Sequence, residues 1–389
     1  MALATPENAG PAGPGATTAA AALRVAAILS IVVVPGVVIL SAVGAGTFGY
    51  DFLAYHQAVE RVVAGDRLYD PSVQITGGFG LFYYPPPFVL LLLPLGLLPS
   101  AIASNLWLGT SAVMLLAGIA ILPVRPTVRW AILLLAGLSW PVAYALKLGQ
   151  VGPLLLLLFA VGWRWRDRPI VFGLAGAIGT IVKIQPGIVL AWAVLTRRWT
   201  AVVVAAALLV LASVIATVVA GGPSIWADYL TLLRIVSDPI TTPHNFTPGA
   251  VAYQMGAPVG IAAGIQVVSS VAAVAAVVVA ALRMPADVSL LVAIVASQLL
   301  SPVLWDHYAL LLLLPVAWLL ERGHWWAIAI PLSTSVLMLP VGLPAIVFPI
   351  AFWVTMAALL AVGSNEAARA RVTADASAPE VRPLSQSLQ

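Results

Sequence analysis

Residues 25–46 read VAAILSIVVVPGVVILSAVGAG, twenty-two positions without a charge, preceded by Arg24 and followed by Asp51. A helix rises 1.5 Å per residue and the bilayer's hydrocarbon core is about 30 Å thick, so about 20 apolar residues cross it. The run is expected to be a membrane-spanning helix. It is too long for the apolar region of a signal peptide, and no clear cleavage site follows. The expectation is an uncleaved first helix with its N-terminus inside. Residues 1–22, rich in Ala, Gly, Pro and Thr, are expected to form a disordered cytoplasmic tail.

The rest of the chain repeats the theme. Of 389 residues, 62% are hydrophobic and 8% charged, whereas soluble domains are near a quarter charged. So few charges cannot cover a water-facing surface, so the solvent for most of the chain is lipid. There is no cysteine, which excludes disulfides, thiolate nucleophiles and cysteine-ligated metals. The formal net charge of +4 is carried by residues scattered between apolar runs, a poor footprint for nucleic acid. Apolar segments recur at 83–99, 101–123, 128–146, 151–163, 170–182, 186–196, 198–220, 250–282, 286–302, 305–320, 324–340 and 343–362. The expected fold is all-α and polytopic, with about eleven to thirteen transmembrane helices, some of half length. One transmembrane domain, 23–363, carries external loops at 45–82 and 221–249, and 364–389 is expected to be a second disordered tail. In the first loop, Leu53, Val59, Val62 and Val63 share one helical face, which predicts a short amphipathic helix on the membrane surface.

Positive residues orient such chains. Arg164, Arg166 and Arg168 belong inside, and so do Arg197 and Arg198. The apolar stretch between them is broken at Lys183-Ile184-Gln185-Pro186, so two short helices reach outward and return, leaving Lys183 near the outer face. Arg283 then falls inside, Asp306 and His307 outside, and Arg322 inside. Before residue 125 the count is open. Two segments, 83–99 and 101–123, lie between the first loop and Arg125 where an odd number is needed; either one does not span, or Arg125 and Arg129 are external.

On this scheme the outer ends collect Asp51, Tyr55, His56, Tyr84, Gln150, Lys183, His244, Asn245, Asp306 and His307 from distant segments. Ionisable residues at the edge of apolar segments are costly and are functional candidates by default. Asp51 is either a helix cap or a general base taking a proton from an attacking hydroxyl. Lys183 is either a lysine snorkelling from a helix end or a cation for a phosphate. Asp306-His307 is either a helix-terminus pair favoured by the dipole or a sugar- or phosphate-binding pair. Tyr83-Tyr84-Pro85-Pro86-Pro87 suits an interfacial helix start. Phosphate-binding glycine loops, metal-binding HExxH and GxSxG elements are absent from the sequence.

The order of these features resembles the GT-C class of membrane glycosyltransferases, and more narrowly glycosyltransferase family 87, the polyprenol-phosphate-mannose-dependent α-1,2-mannosyltransferases of actinobacteria. The carrying residues are Asp51, Tyr55, Gly65, Leu68-Tyr69-Asp70, Tyr84-Pro85-Pro86, Leu148-Gly149-Gln150, Lys183 with Pro186, Ser301-Pro302 and Trp305-Asp306-His307. The family often has Tyr-Tyr where this chain has Tyr55-His56. The resemblance implies a multi-pass plasma-membrane enzyme whose site faces outward. It implies a polyprenyl-phosphate-sugar donor, a lipid-linked glycan acceptor and inversion at the anomeric carbon. Asp51 would be the base, Lys183 and His307 the donor-phosphate ligands, and Tyr55, His56, Tyr84, Gln150 and Asp306 further substrate contacts; no metal or cofactor is implied. The competing expectation is a transporter or flippase. Transporters often carry internal repeats, and none is visible here.

Overall fold

The computed structural model describes residues 14–69, 81–236, 238–335 and 344–376. Among these, every regular element is helical: seventeen α-helices and four short 3-10 segments. Five helices are long and apolar enough to cross a bilayer: Thr18–Gly44, Ser100–Ala120, Trp199–Val219, Val259–Arg283 and Val347–Thr373. The half-length helices are Phe88–Leu97, Gly152–Arg164, Pro169–Val182, Gln185–Leu195 and Ala286–Leu299. A further pair, Pro126–Leu138 and Trp140–Leu148, is bent by 63°. Ser139 is extended there, and Pro141 brings no amide donor to continue the ladder. The chain is an all-α polytopic membrane protein.

Lipid tails are as apolar as leucine, so these helices associate by close packing rather than by a hydrophobic drive. Small residues mark the closest approaches. A Cβ on Gly118 would sit 3.2 Å from the Leu157 Cα, and one on Gly173 only 2.5 Å from the Ala201 carbonyl oxygen. The outer faces stay apolar and uncovered, as with Val203 and Val218 on helix Trp199–Val219, which are 66% and 77% exposed.

Four expectations are revised. The first helix begins at Pro14, so residues 14–22 are helical rather than a disordered tail. The last helix continues to Ala376, through 364–376, which was expected to be tail. In both places alanine-rich sequence extends a helix already nucleated; polarity there reports the solvent, not the conformation. The 221–249 loop contains helix Ser224–Val236, which buries Ile225, Tyr229 and Leu232 along one face. The helix of the first loop spans Tyr50–Ala64, but its buried face is Phe52, Tyr55, Val59 and Val62, with Leu53 and Val63 exposed. Asp70 lies outside the described residues.

The bundle has two chemically distinct ends. At one, Arg125 pairs with Glu321 at 3.0 Å, and Arg322 pairs with Asp287 at 3.0 Å and with Glu366 at 2.5 Å. The Arg164 guanidinium donates to the Ile121 carbonyl at 3.4 Å, and Arg198 pairs with Asp167 at 3.1 Å. Arg24 lies over the Trp130 ring at 5.9 Å, in the next helix along. The arginines of distant segments thus share one end.

Segment 83–99 does not form one continuous helix long enough to span a bilayer. It is a five-residue α-helix, Phe88–Leu92, running into a five-residue 3-10 helix, Leu93–Leu97. That piece lies along the surface helix, with the Leu98 carbonyl 2.9 Å from His56 Nε2. Among the described residues between Asp51 and Arg125, Ser100–Ala120 is the helix long and apolar enough to cross a bilayer, and Arg125 lies at the same end of the bundle as Arg164.

Candidate active site

The opposite end is assembled by turns. Gly49 and Gly149 both adopt left-handed backbone, with φ of 71° each. The Gly49 amide donates to the Lys147 carbonyl at 2.9 Å, which ties the start of the surface helix to the end of helix Trp140–Leu148. Gly149 is wedged between Phe52 and Trp107: a Cβ would lie 2.6 Å from Phe52 Cβ, and the Trp107 indole donates to the Gly149 carbonyl at 2.7 Å. Two features therefore require glycine at 149, the backbone region and the space. The Leu-Gly-Gln turn carries Gln150 directly to Asp51.

Asp51 does not cap its helix. The N-cap is Gly49, with no side-chain bond, and the Asp51 carboxylate instead accepts a hydrogen bond from Gln150 Nε2. The Gln150 carbonyl oxygen faces the other way and accepts from Tyr84 Oη at 3.1 Å and Tyr55 Oη at 3.3 Å. The two hydroxyls are 2.6 Å apart. One amide thus bridges a carboxylate and a tyrosine pair. Burial raises the Asp51 carboxyl above its ordinary pKa; His307, the Gln150 hydrogen bond and Lys183 pull it back, and Asp306 raises it further. The outcome is a carboxylate held at greater basicity than one in water.

Lys183 does not snorkel. It sits in extended backbone where helix Pro169–Val182 ends, is 9% exposed, and donates to Tyr308 Oη. Its ammonium lies 4.0 Å from the Tyr308 ring centroid and 5.3 Å from that of Tyr84, so aromatic faces partly replace its water. A break in an apolar run thus delivers a cation beside a carboxylate from a different third of the chain.

Asp306 and His307 complete the cluster. The Asp306 carboxylate accepts from the His307 amide at 2.8 Å and from the Trp140 indole at 3.3 Å. His307 is 3% exposed, with Nδ1 3.4 Å from the Asp306 carboxylate. Neither ring nitrogen has a well-formed hydrogen bond among the described residues. A buried imidazole in that state is rare and asks for a reason. Its ring faces those of Tyr308 at 4.9 Å and Tyr144 at 6.3 Å.

Of the residues picked from sequence, Asp51, Tyr55, Tyr84, Gln150, Lys183, Asp306 and His307 come together. His56 does not join them: its ring is taken up by the Leu98 carbonyl and by Glu60 at 3.4 Å. Asn245 serves the frame. Fully buried, it receives the Leu304 and Thr247 amides at 2.9 and 3.0 Å and donates to the Pro302 and Pro239 carbonyls. It thereby fixes the non-helical segment that leads into Asp306. His244 is exposed. Tyr308, Trp140 and Tyr144 were missed, because each sits inside an apolar run and looks like any interfacial aromatic. The adjacency of Tyr308 to His307 was the one available signal.

The chain matches no characterised protein and no solved structure. The family model of glycosyltransferase family 87 does match, over residues 82–302. That span covers more than half of the chain and includes Tyr84, Gln150 and Lys183; Asp51 and His307 lie on either side of it. Through that match the chain belongs to glycosyltransferase family 87 and is a membrane glycosyltransferase.

Proposed function

We propose that this protein transfers a mannosyl unit from a polyprenyl-phosphate-linked donor to a hydroxyl of a lipid-linked glycan, with inversion, on the outer face of the plasma membrane. The observation that carries the proposal is the convergence of Asp51, held by Gln150, with Lys183, held by Tyr308, and with the buried His307. A base and two phosphate-binding groups are the parts such a transfer needs.

Asp51 accepts the acceptor hydroxyl's proton as that oxygen attacks the anomeric carbon. The new C–O bond forms while the bond from the anomeric carbon to the phosphate oxygen breaks, and its electron pair leaves with polyprenyl phosphate. Lys183 and His307 face the charge that grows on the leaving oxygen. Groups already oriented and already desolvated stabilise such charge without reorganising. Trp140 and Tyr144, stacked at 5.0 Å and 17°, offer a sugar ring a flat apolar face beside Asp306.

Depth supports a donor that arrives through the bilayer. Helix Pro169–Val182 has 14 residues, about 21 Å at 1.5 Å per residue, and it links the arginine end to Lys183. That is short of the roughly 30 Å hydrocarbon thickness, so with the arginines at one interface the cluster lies below the other.

The test is transfer from a defined polyprenyl-phosphate-mannose in membranes carrying Asp51→Asn. The variant keeps the shape and the Gln150 contact, inserts normally, and loses transfer by about 10²–10⁴-fold. Near-normal turnover removes Asp51 as the base. Glycolipid analysis of a deletion strain identifies the acceptor.

A further inference from the structure

At the arginine end, away from the candidate active site, a cavity of about 230 Å³ is lined by Arg166, Asp167, Arg197, Arg198, Trp199 and Thr200 among others. Three cations and one carboxylate face it, and the carboxylate is already committed. Asp167 accepts both Arg198 Nη1 and Nη2, at 3.2 and 3.1 Å. Arg198 also donates to the Arg166 carbonyl and lies over the Trp192 ring at 5.0 Å. The other Asp167 oxygen approaches Arg166, so one carboxylate serves three guanidinium groups and a net positive charge remains in the cavity. Arg166 Nε is buried without a hydrogen bond, its nearest acid being Asp167 at 3.7 Å. The Arg197 guanidinium has no ion pair or hydrogen bond among the described residues.

Arg197 is unusual in its backbone. It closes helix Ile188–Leu195, its amide bonding the Val194 carbonyl at 3.0 Å and the next amide bonding that of Ala193 at 2.8 Å. This is the position where a helix ordinarily ends in glycine. Arg197 holds φ of 59° there, at a steric cost any Cβ incurs. A strained arginine where glycine is cheaper points to a use for the side chain. Trp199, 57% exposed beside it, marks the headgroup depth of a membrane. Helix Trp199–Val219 begins at the cavity, and Arg198 at its N-cap provides no side-chain hydrogen bond to its first amides.

We propose that this cavity binds the phosphate of an anionic phospholipid headgroup, through Arg197, Arg166 and the start of helix Trp199–Val219. The chemistry is phosphate recognition by arginine in a basic pocket between membrane helices. It is independent of the transferase reading, since none of its residues touches the other cluster.

Native mass spectrometry of the full chain in detergent, titrated with phosphatidylglycerol, phosphatidylcholine or inorganic phosphate, tests this. The wild type is expected to retain phosphatidylglycerol over phosphatidylcholine. Arg197→Gly keeps the left-handed turn and removes only the guanidinium, so it folds; it weakens phosphatidylglycerol binding roughly fivefold, the usual worth of one cation near anionic lipid. Arg283→Gln, an exposed arginine outside the cavity, leaves it unchanged. Inorganic phosphate competing at millimolar level locates recognition in the phosphate itself. Equal binding of the two lipids, or equal losses in the two variants, overturns the proposal.

Discussion

Replacing Gln150 by leucine separates the amide's chemistry from its bulk. Gln150 Nε2 donates to the Asp51 carboxylate, and its Oε1 accepts from two tyrosine hydroxyls. A hydrogen bond to a charged group is worth about 1.5–3 kcal/mol. Removing the donor makes the ionised carboxylate less favourable by about that much, which is ten- to over a hundredfold in its ionisation equilibrium. Burial already raises this carboxyl, and the Gln150 bond opposes the rise; without the bond it moves further up. A general base works only when ionised, so rate is lost as pH falls through its pKa. The acid limb of kcat/KM against pH therefore shifts toward higher pH in Gln150→Leu, while the rate well above that limb recovers toward wild type. Initial rates in proteoliposomes across pH measure this, with thermal unfolding followed in parallel. Tyr55 and Tyr84 keep each other at 2.6 Å, so unfolding is expected to shift little. A well-folded Gln150→Leu protein with an unmoved acid limb refutes the role given to this bond, and with it Asp51's titration as the control of rate.

Other variants probe the remaining contacts. Lys183→Ala is expected to raise KM for the donor far more than for the acceptor; an unchanged donor affinity returns the lysine to a structural role. Tyr308→Phe keeps the ring under the ammonium but removes the hydroxyl. It is expected to cost about 1.5–3 kcal/mol, again as weaker donor binding, and full activity shows that the ring alone positions Lys183. Gly149→Ala meets both the left-handed backbone and Phe52 at 2.6 Å. It is expected to cost at least about 1–2 kcal/mol and to displace Gln150, so a protein of wild-type Tm and activity contradicts the wedge.

Much of this site was legible before any coordinates. Asp51, Lys183 and Asp306-His307 stood out because a charge at the edge of an apolar run is expensive and few such charges exist in this chain. In the structure these residues lie together at one end of the bundle. The spacing that puts Tyr55 on the buried face also buries His56, and only the position of Leu98 shows where its ring goes. Segment 83–99 looked long enough to cross; Pro94 and Gly96 divide it into pieces that lie on the surface helix.

By itself, the sequence determined the solvent of this protein, the helical class and the short list of costly charges. These follow from local quantities: run length, charge spacing and backbone preference. The tertiary structure alone decided that Gln150 joins Asp51 to two tyrosines, that Lys183 rests on Tyr308, and that Arg125 pairs with Glu321. Those contacts join residues about 100 to 200 positions apart, and their distances depend on how helices of unequal length pack. Neither composition nor period encodes that packing.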